Sequence, residues 1–123
     1  VLEVGPACAK PVEAGDLVAC SGLQMATHGE YCSVPRNMFA PVPAGVEPVE
    51  AAFTTLGSNS MHGVRQADQQ FGATVMVVGL GLVGQITLQL CRVAGYKVIG
   101  LDLDQAKLHF DECGACQGSC RVR

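Results

Sequence analysis

The stretch Thr74-Val-Met-Val-Val78 is an apolar run, and Gly79-Leu-Gly81-Leu-Val-Gly84 follows it at once. A buried strand that meets three glycines at this spacing, with apolar residues then recurring at helical intervals, restricts the chain to a strand that turns tightly into a helix. Gly79 permits the sharp exit from the strand. Gly81 has no Cβ, so the main chain can lie against a diphosphate. Gly84 lets the helix pack on the strand. The helix N-terminus then offers unpaired N–H groups and a partial positive charge to the phosphates. A second apolar run, Lys97-Val-Ile-Gly-Leu101, ends at Asp102. An acid about 20 residues beyond the turn is set to accept hydrogen bonds from a ribose.

Gly79, Gly81, Leu82, Val83, Gly84 and Asp102 are therefore the candidate dinucleotide-binding residues. Two other readings stay open: a tight strand–helix turn with no ligand, and an S-adenosylmethionine methyltransferase, which also uses a glycine turn and a later acid. The apolar residues before Gly79 and the third glycine at Gly84 favour the dinucleotide. The Asp102 carboxylate would repel a 2′-phosphate, and no arginine follows closely, so NAD is expected over NADP. Asp104 reads as the N-cap of the next helix.

The chain has 123 residues, 49% apolar and 15% charged, which suits one globular α/β domain and excludes disorder. A net charge of -3 gives no basic footprint for nucleic acid. No apolar run reaches the 18 or so residues of a membrane span. No signal peptide is visible, although the chain opens on Val1, and a longer parent is expected. The seven cysteines are an odd number. Cys8, Cys20, Cys32 and Cys91 lie in apolar or small surroundings and read as reduced structural thiols of a cytoplasmic protein.

Along the chain, Glu13-Ala-Gly-Asp16 signals a turn, Leu17–Cys20 a short strand, and Glu30–Val34 another that Pro35 stops. Pro41, Pro43 and Gly45 punctuate an irregular stretch. Pro48–Leu56 starts a helix, with proline at its first position and Glu50 near its positive end. Gly57-Ser-Asn-Ser60 interrupts the pattern, and Met61–Ala67 resumes it. Val83, Ile86, Thr87, Leu90 and Ala94 mark the inner face of the helix after the glycine turn. Gly95 ends that helix. Asp104–Asp111 begins another.

Together these segments resemble the medium-chain dehydrogenase/reductase superfamily, the alcohol-dehydrogenase-like group. The matching pieces, in the family's order, are Glu13–Ala19, Glu30-Tyr-Cys-Ser-Val-Pro35, Pro41-Val-Pro-Ala-Gly-Val46, Glu50-Ala-Ala52, Val77–Gly84 and Val98–Asp102. The resemblance implies an α/β fold: the C-terminal part of a GroES-like β-rich catalytic domain over residues 1–46, then the first βαβ unit of a Rossmann doubly wound parallel sheet over 47–123. It implies an oxidoreductase that transfers a hydride between NAD(H) and an alcohol, a carbonyl or a related small substrate. The parent is expected to be a homo-oligomer, and the fragment alone inactive. The alternative is a non-catalytic dinucleotide-binding or redox-sensing module.

By the same resemblance Ser60 falls near the nicotinamide, although a serine bonded to nearby backbone accounts for it equally well. By the same resemblance a family metal-ligand position falls on Leu56, which cannot bind zinc. No metal ligand is assigned in this chain, and a catalytic zinc is left to the full-length parent. His28 reads as a surface or strand-edge residue and His62 as a packing residue; His109 has no evident partner. The tail Cys113-Gly-Ala-Cys116-Gln-Gly-Ser-Cys120 has C-x-x-C spacing, but Cys113-Gly-Ala115 fits a helix end in the family, and the resemblance stops there. Two inner strands without neighbours predict a marginal, sticky fragment.

Overall fold

The computed structural model describes residues 1–6, 8, 12–109 and 119–121. The chain divides into two compact units, Val1–Thr55 and Leu56–Arg123.

In the first unit, Glu13–Asp16 makes the expected turn. Gly15 takes φ +102°, and the Glu13 N–H donates to Asp16 Oδ2 at 2.8 Å. Strand β1, Val18–Cys20, pairs antiparallel with β2, Phe39–Pro41, with Val18 opposite Pro41 and Cys20 opposite Phe39. β2 was not foreseen, because prolines at 41 and 43 hid it. Pro41 is tolerated at the last position of a strand in a two-stranded sheet, where its missing N–H costs little. Conversely, Glu30–Val34 forms no strand among the described residues. Its composition suits a strand, but nothing there pairs with it. Helix α1 is short, Pro48–Ala51, and the Glu47 N–H donates to Glu50 Oε2 at 3.0 Å.

Helix α2 runs Thr54–Gln66 without a break, straight through Gly57-Ser-Asn-Ser60. The interruption falls instead at Ala52 and Phe53. Ser60 is 2% exposed, and its hydroxyl donates to the Val83 carbonyl at 3.2 Å. A tertiary contact thus carries the helix across residues of weak propensity. Asp68, at φ +44°, lies just past its end.

The second unit is built on a parallel sheet in the order β3-β4-β5: Thr74–Val78, Lys97–Asp102 and Ser119–Arg121. Val75 faces Val98 and Val78 faces Leu101 in register; Gly100 faces Ser119 and Asp102 faces Arg121. The third strand corrects the expectation of two. Helix α3, Leu82–Val93, follows β3, and α4, Gln105–His109, follows β4. Val77, Leu80, Leu88, Cys91, Val98 and Leu108 form the core, with Leu88 fully buried. On β3 only Val75 and Val77 are covered, while Met76 and Val78 are 59% and 69% exposed. On α3 Leu88 and Cys91 are buried and Ile86, Thr87 and Leu90 of the expected stripe are half-buried, whereas Val83 and Ala94 are exposed. Gly95 closes α3 at φ +85°, with Gly95 N–H on Arg92 O (2.8 Å) and Tyr96 N–H on Cys91 O (3.1 Å). That pair of bonds is a Schellman cap. Cys113 and Cys116 lie outside the described residues, as do the side chains of His109 and Cys120.

Candidate functional site

The site lies where β3 and β4 end side by side. β3 leaves through Gly79 at φ +91°, a conformation that a side chain would strain. The Gly79 N–H continues the ladder by donating to Leu101 O at 2.8 Å. Leu80 turns its side chain into the core, where it is 2% exposed. Its N–H donates to Asp102 Oδ2 at 2.7 Å. Gly81 is extended, φ -70° and ψ -173°, and forms the N-cap of α3 with no side-chain hydrogen bond.

Two glycines divide the work of the turn. A Cβ on Gly84 would stand 1.9 Å from the Gly79 oxygen and 2.9 Å from its carbonyl carbon, so the helix can approach the turn only without it. A Cβ on Gly81 would meet nothing within 4 Å. It would instead meet open space at the N-cap of α3. The first turn of a helix has N–H groups without intrahelical acceptors. A diphosphate suits that space through the helix dipole and those donors. The donor set and the open cradle therefore fit a dinucleotide.

Asp102 ends β4 with its side chain 11% exposed. Oδ1 accepts the Asp104 N–H at 2.8 Å, and Oδ2 accepts that of Leu80. The Asp104 N–H first and the Leu80 N–H second hold the carboxyl below the usual carboxylate range; burial opposes them, and Lys107 adds to the lowering. Lys107 Nζ stands 3.8 Å from Asp102 Oδ1 and 3.8 Å from Asp104 Oδ2. Asp104 caps α4, accepting the Ala106 N–H at 3.0 Å.

The fold thus brings Gly79, Gly81, Leu82, Val83, Gly84 and Asp102 together. Leu82 and Val83 are 55% and 44% exposed, an apolar rim at the start of α3. Ser60 reaches the same helix from α2 through Val83 O, which also accepts Thr87 Oγ1 at 2.8 Å. The sequence reading missed Lys107 and the backbone role of Leu80. Lys107, three residues after Asp104 on α4, could have been found from helical spacing; the Leu80 bond could not. His28 and His62 are exposed and stand apart from this cluster in the sequence. A cavity of about 280 Å³ lies along α2, β3 and α3, lined by Gly63, Val64, Val75 and Cys91 among others, and none of the turn glycines borders it. Among the described residues no three His, Cys, Asp or Glu side chains gather to hold a metal ion. No helix there is long and apolar enough to cross a membrane.

No family model matches the chain. An alcohol dehydrogenase of Geobacillus stearothermophilus is 28% identical over 81 residues, 65% of this chain and 24% of that protein. A solved candidate zinc-binding dehydrogenase of Sinorhizobium meliloti 1021, bound to NADP, is 30% identical with a TM-score of 0.66, over 72% of this chain and 26% of that one. A mycobacterial protein solved with NADPH has a TM-score of 0.82 at 25% identity, over 100% of this chain and 39% of that one. The chain is similar to alcohol-dehydrogenase-like members of the medium-chain dehydrogenase/reductase superfamily. It spans about a quarter of the length of the alcohol dehydrogenase it matches.

Proposed function

We propose that Gly79–Asp102 is the dinucleotide cradle of a nicotinamide-dependent oxidoreductase, whose full-length form transfers a hydride between NAD(H) and an alcohol, a carbonyl or a related small substrate. The observation that carries this is the pairing at the strand ends. Bare main chain at Gly81 opens in front of a helix N-terminus, and a carboxylate stands at the end of the next strand, tied to the same turn at 2.7 Å.

In this reading Gly81, Leu82 and Val83 offer N–H groups to the diphosphate, and Gly79 and Gly84 keep the turn close to the helix. Asp102 accepts from the adenosine ribose with its remaining lone pairs, and Lys107 stands near enough to donate there. The bound nicotinamide would supply the hydride acceptor and donor. Ser60, through its bond to Val83 O, steadies the first turn of α3 beside it. The Asp102 charge favours NAD over NADP, although two of the compared solved structures carry NADP or NADPH. Lys107 weakens that preference without removing it, because Asp102 and Asp104 both already face it. Catalytic zinc is left to the full-length protein, because Leu56 is no ligand. The GroES-like reading of residues 1–46, a cytoplasmic site and a homo-oligomeric parent complete the proposal.

The test is a titration of NADH fluorescence against the wild-type chain and Gly81→Val. Saturable binding that the substitution weakens at least tenfold supports the cradle. Equal affinity in both removes it.

A further inference from the structure

We propose that Asp102 is a positioning residue of the glycine turn: its carboxylate holds the Leu80 N–H, and with it the shape of the cradle, before any ribose arrives. The geometry stands without a cofactor; only the consequence for dinucleotide affinity rests on the function proposed above.

The turn has little stiffness of its own. Gly79 and Gly81 flank Leu80, and glycine restrains its backbone least. Two ties reach the turn from the end of β4: the Leu101 carbonyl on the Gly79 N–H and the Asp102 carboxylate on the Leu80 N–H. The Leu80 side chain is locked among Val77, Leu88, Val98 and Leu108, so its main chain cannot swing out to water without disturbing the core. Losing the carboxylate would leave a part-buried N–H unpaired, and a hydrogen bond to a charged group is among the stronger ones. An ionised carboxylate has about four acceptor sites. Leu80 and Asp104 use one on each oxygen, and the Leu103 N–H and Lys107 add weaker contacts, which still leaves acceptor capacity for a ribose hydroxyl. A residue at 102 with no acceptor oxygen, introduced to admit a 2′-phosphate, would therefore loosen the phosphate cradle as well. NADH and NADPH should weaken together, where a simple selector would exchange one for the other.

The test uses amide NMR on the unliganded 123-residue chain. Through an acid titration, the Leu80 and Asp104 amide shifts should move with the Asp102 carboxyl carbon at one shared midpoint. Among the described residues the charged groups facing Asp102 are Lys107 from α4 and Asp104 beside it; in an Asp104→Asn control the midpoint should shift, but the Leu80 amide and the Asp102 carboxyl should still share it. A Leu80 amide that stays flat while Asp102 titrates overturns the proposal. In Asp102→Ala the Leu80 amide should exchange at least about tenfold faster, with Val77 and Leu88 unchanged, as expected for loss of a charge-assisted hydrogen bond. Asp102→Asn, whose amide oxygen still accepts, should recover most of the protection. Unchanged Leu80 exchange in Asp102→Ala, or NADPH tightening while NADH weakens, also overturns it. If Val77 and Leu88 lose protection too, the variant has unfolded and the wild-type titration decides. If wild type binds neither cofactor but Leu80 titrates with Asp102, the proposed function falls and the brace stands.

Discussion

Gly84→Ala and Gly81→Ala should separate folding from binding within one six-residue turn. At position 84 the new methyl would lie 1.9 Å from the Gly79 oxygen. That oxygen must retreat by more than about an ångström to reach an ordinary contact, and it belongs to a residue at φ +91° whose N–H is held by Leu101. Overpacking typically costs about 1–3 kcal/mol, and backbone yields less readily than a side-chain tip. Alanine regains about 1 kcal/mol of helix propensity over glycine. A net loss of roughly 2 kcal/mol or more is expected, at the upper end of that overpacking range. At position 81 nothing lies within 4 Å and φ is ordinary, so the loss should stay at or below about 1 kcal/mol, the cost of alanine in place of glycine at an N-cap. Urea titrations followed by far-UV circular dichroism read both. A Gly84→Ala midpoint equal to wild type, or an equal loss in both variants, would refute the packing argument. It would mean that the turn is not pressed against α3 as described.

Ser60→Ala removes the bond to Val83 O but leaves that oxygen its Thr87 partner. It should cost about 1 kcal/mol in urea unfolding; a loss above about 3 kcal/mol would mean that the hydroxyl does more than join α2 to α3. Gly95→Ala meets no atom within 4 Å but must adopt φ +85°. Its cost should be purely conformational, about 1–2 kcal/mol by thermal or urea melting, and no loss would place the α3 cap elsewhere. The lowered pKa of Asp102 sets a pH dependence. Its contribution to stability is complete above the unfolded-state value and disappears as pH falls through the lower folded value. Asp102→Asn should flatten that acid limb of the stability curve, and an unchanged limb would assign it to other carboxylates.

The second unit was legible where a local signal sufficed. The apolar runs of β3 and β4, the glycine turn, the Gly95 cap and the Asp104 cap each follow from a few neighbouring residues. Failures came where the deciding partner was distant. Glu30–Val34 has strand composition but pairs with no strand among the described residues, while Phe39–Pro41 has prolines and a partner in β1. Ser119–Arg121 follows a cysteine-rich segment with no strand pattern, and pairing with β4 makes it a strand. Gly57–Ser60 looks like a break until Ser60 meets α3. The face of α3 was legible in part: Ile86, Thr87 and Leu90 are half-buried, but the deepest packing falls on Leu88 and Cys91. At the site, residue types and spacing named the turn and the acid. That Leu80 joins them depends on how two strand ends align, which spacing does not encode.

The account rests on a diphosphate fitting the bare main chain at Gly81 with its sugar against Asp102. Adding ADP-ribose to the ¹⁵N-labelled chain tests this most directly. Saturable amide shifts concentrated at Gly81, Leu82, Val83 and Asp102 are expected. Shifts scattered elsewhere, or none at millimolar ligand, would contradict it.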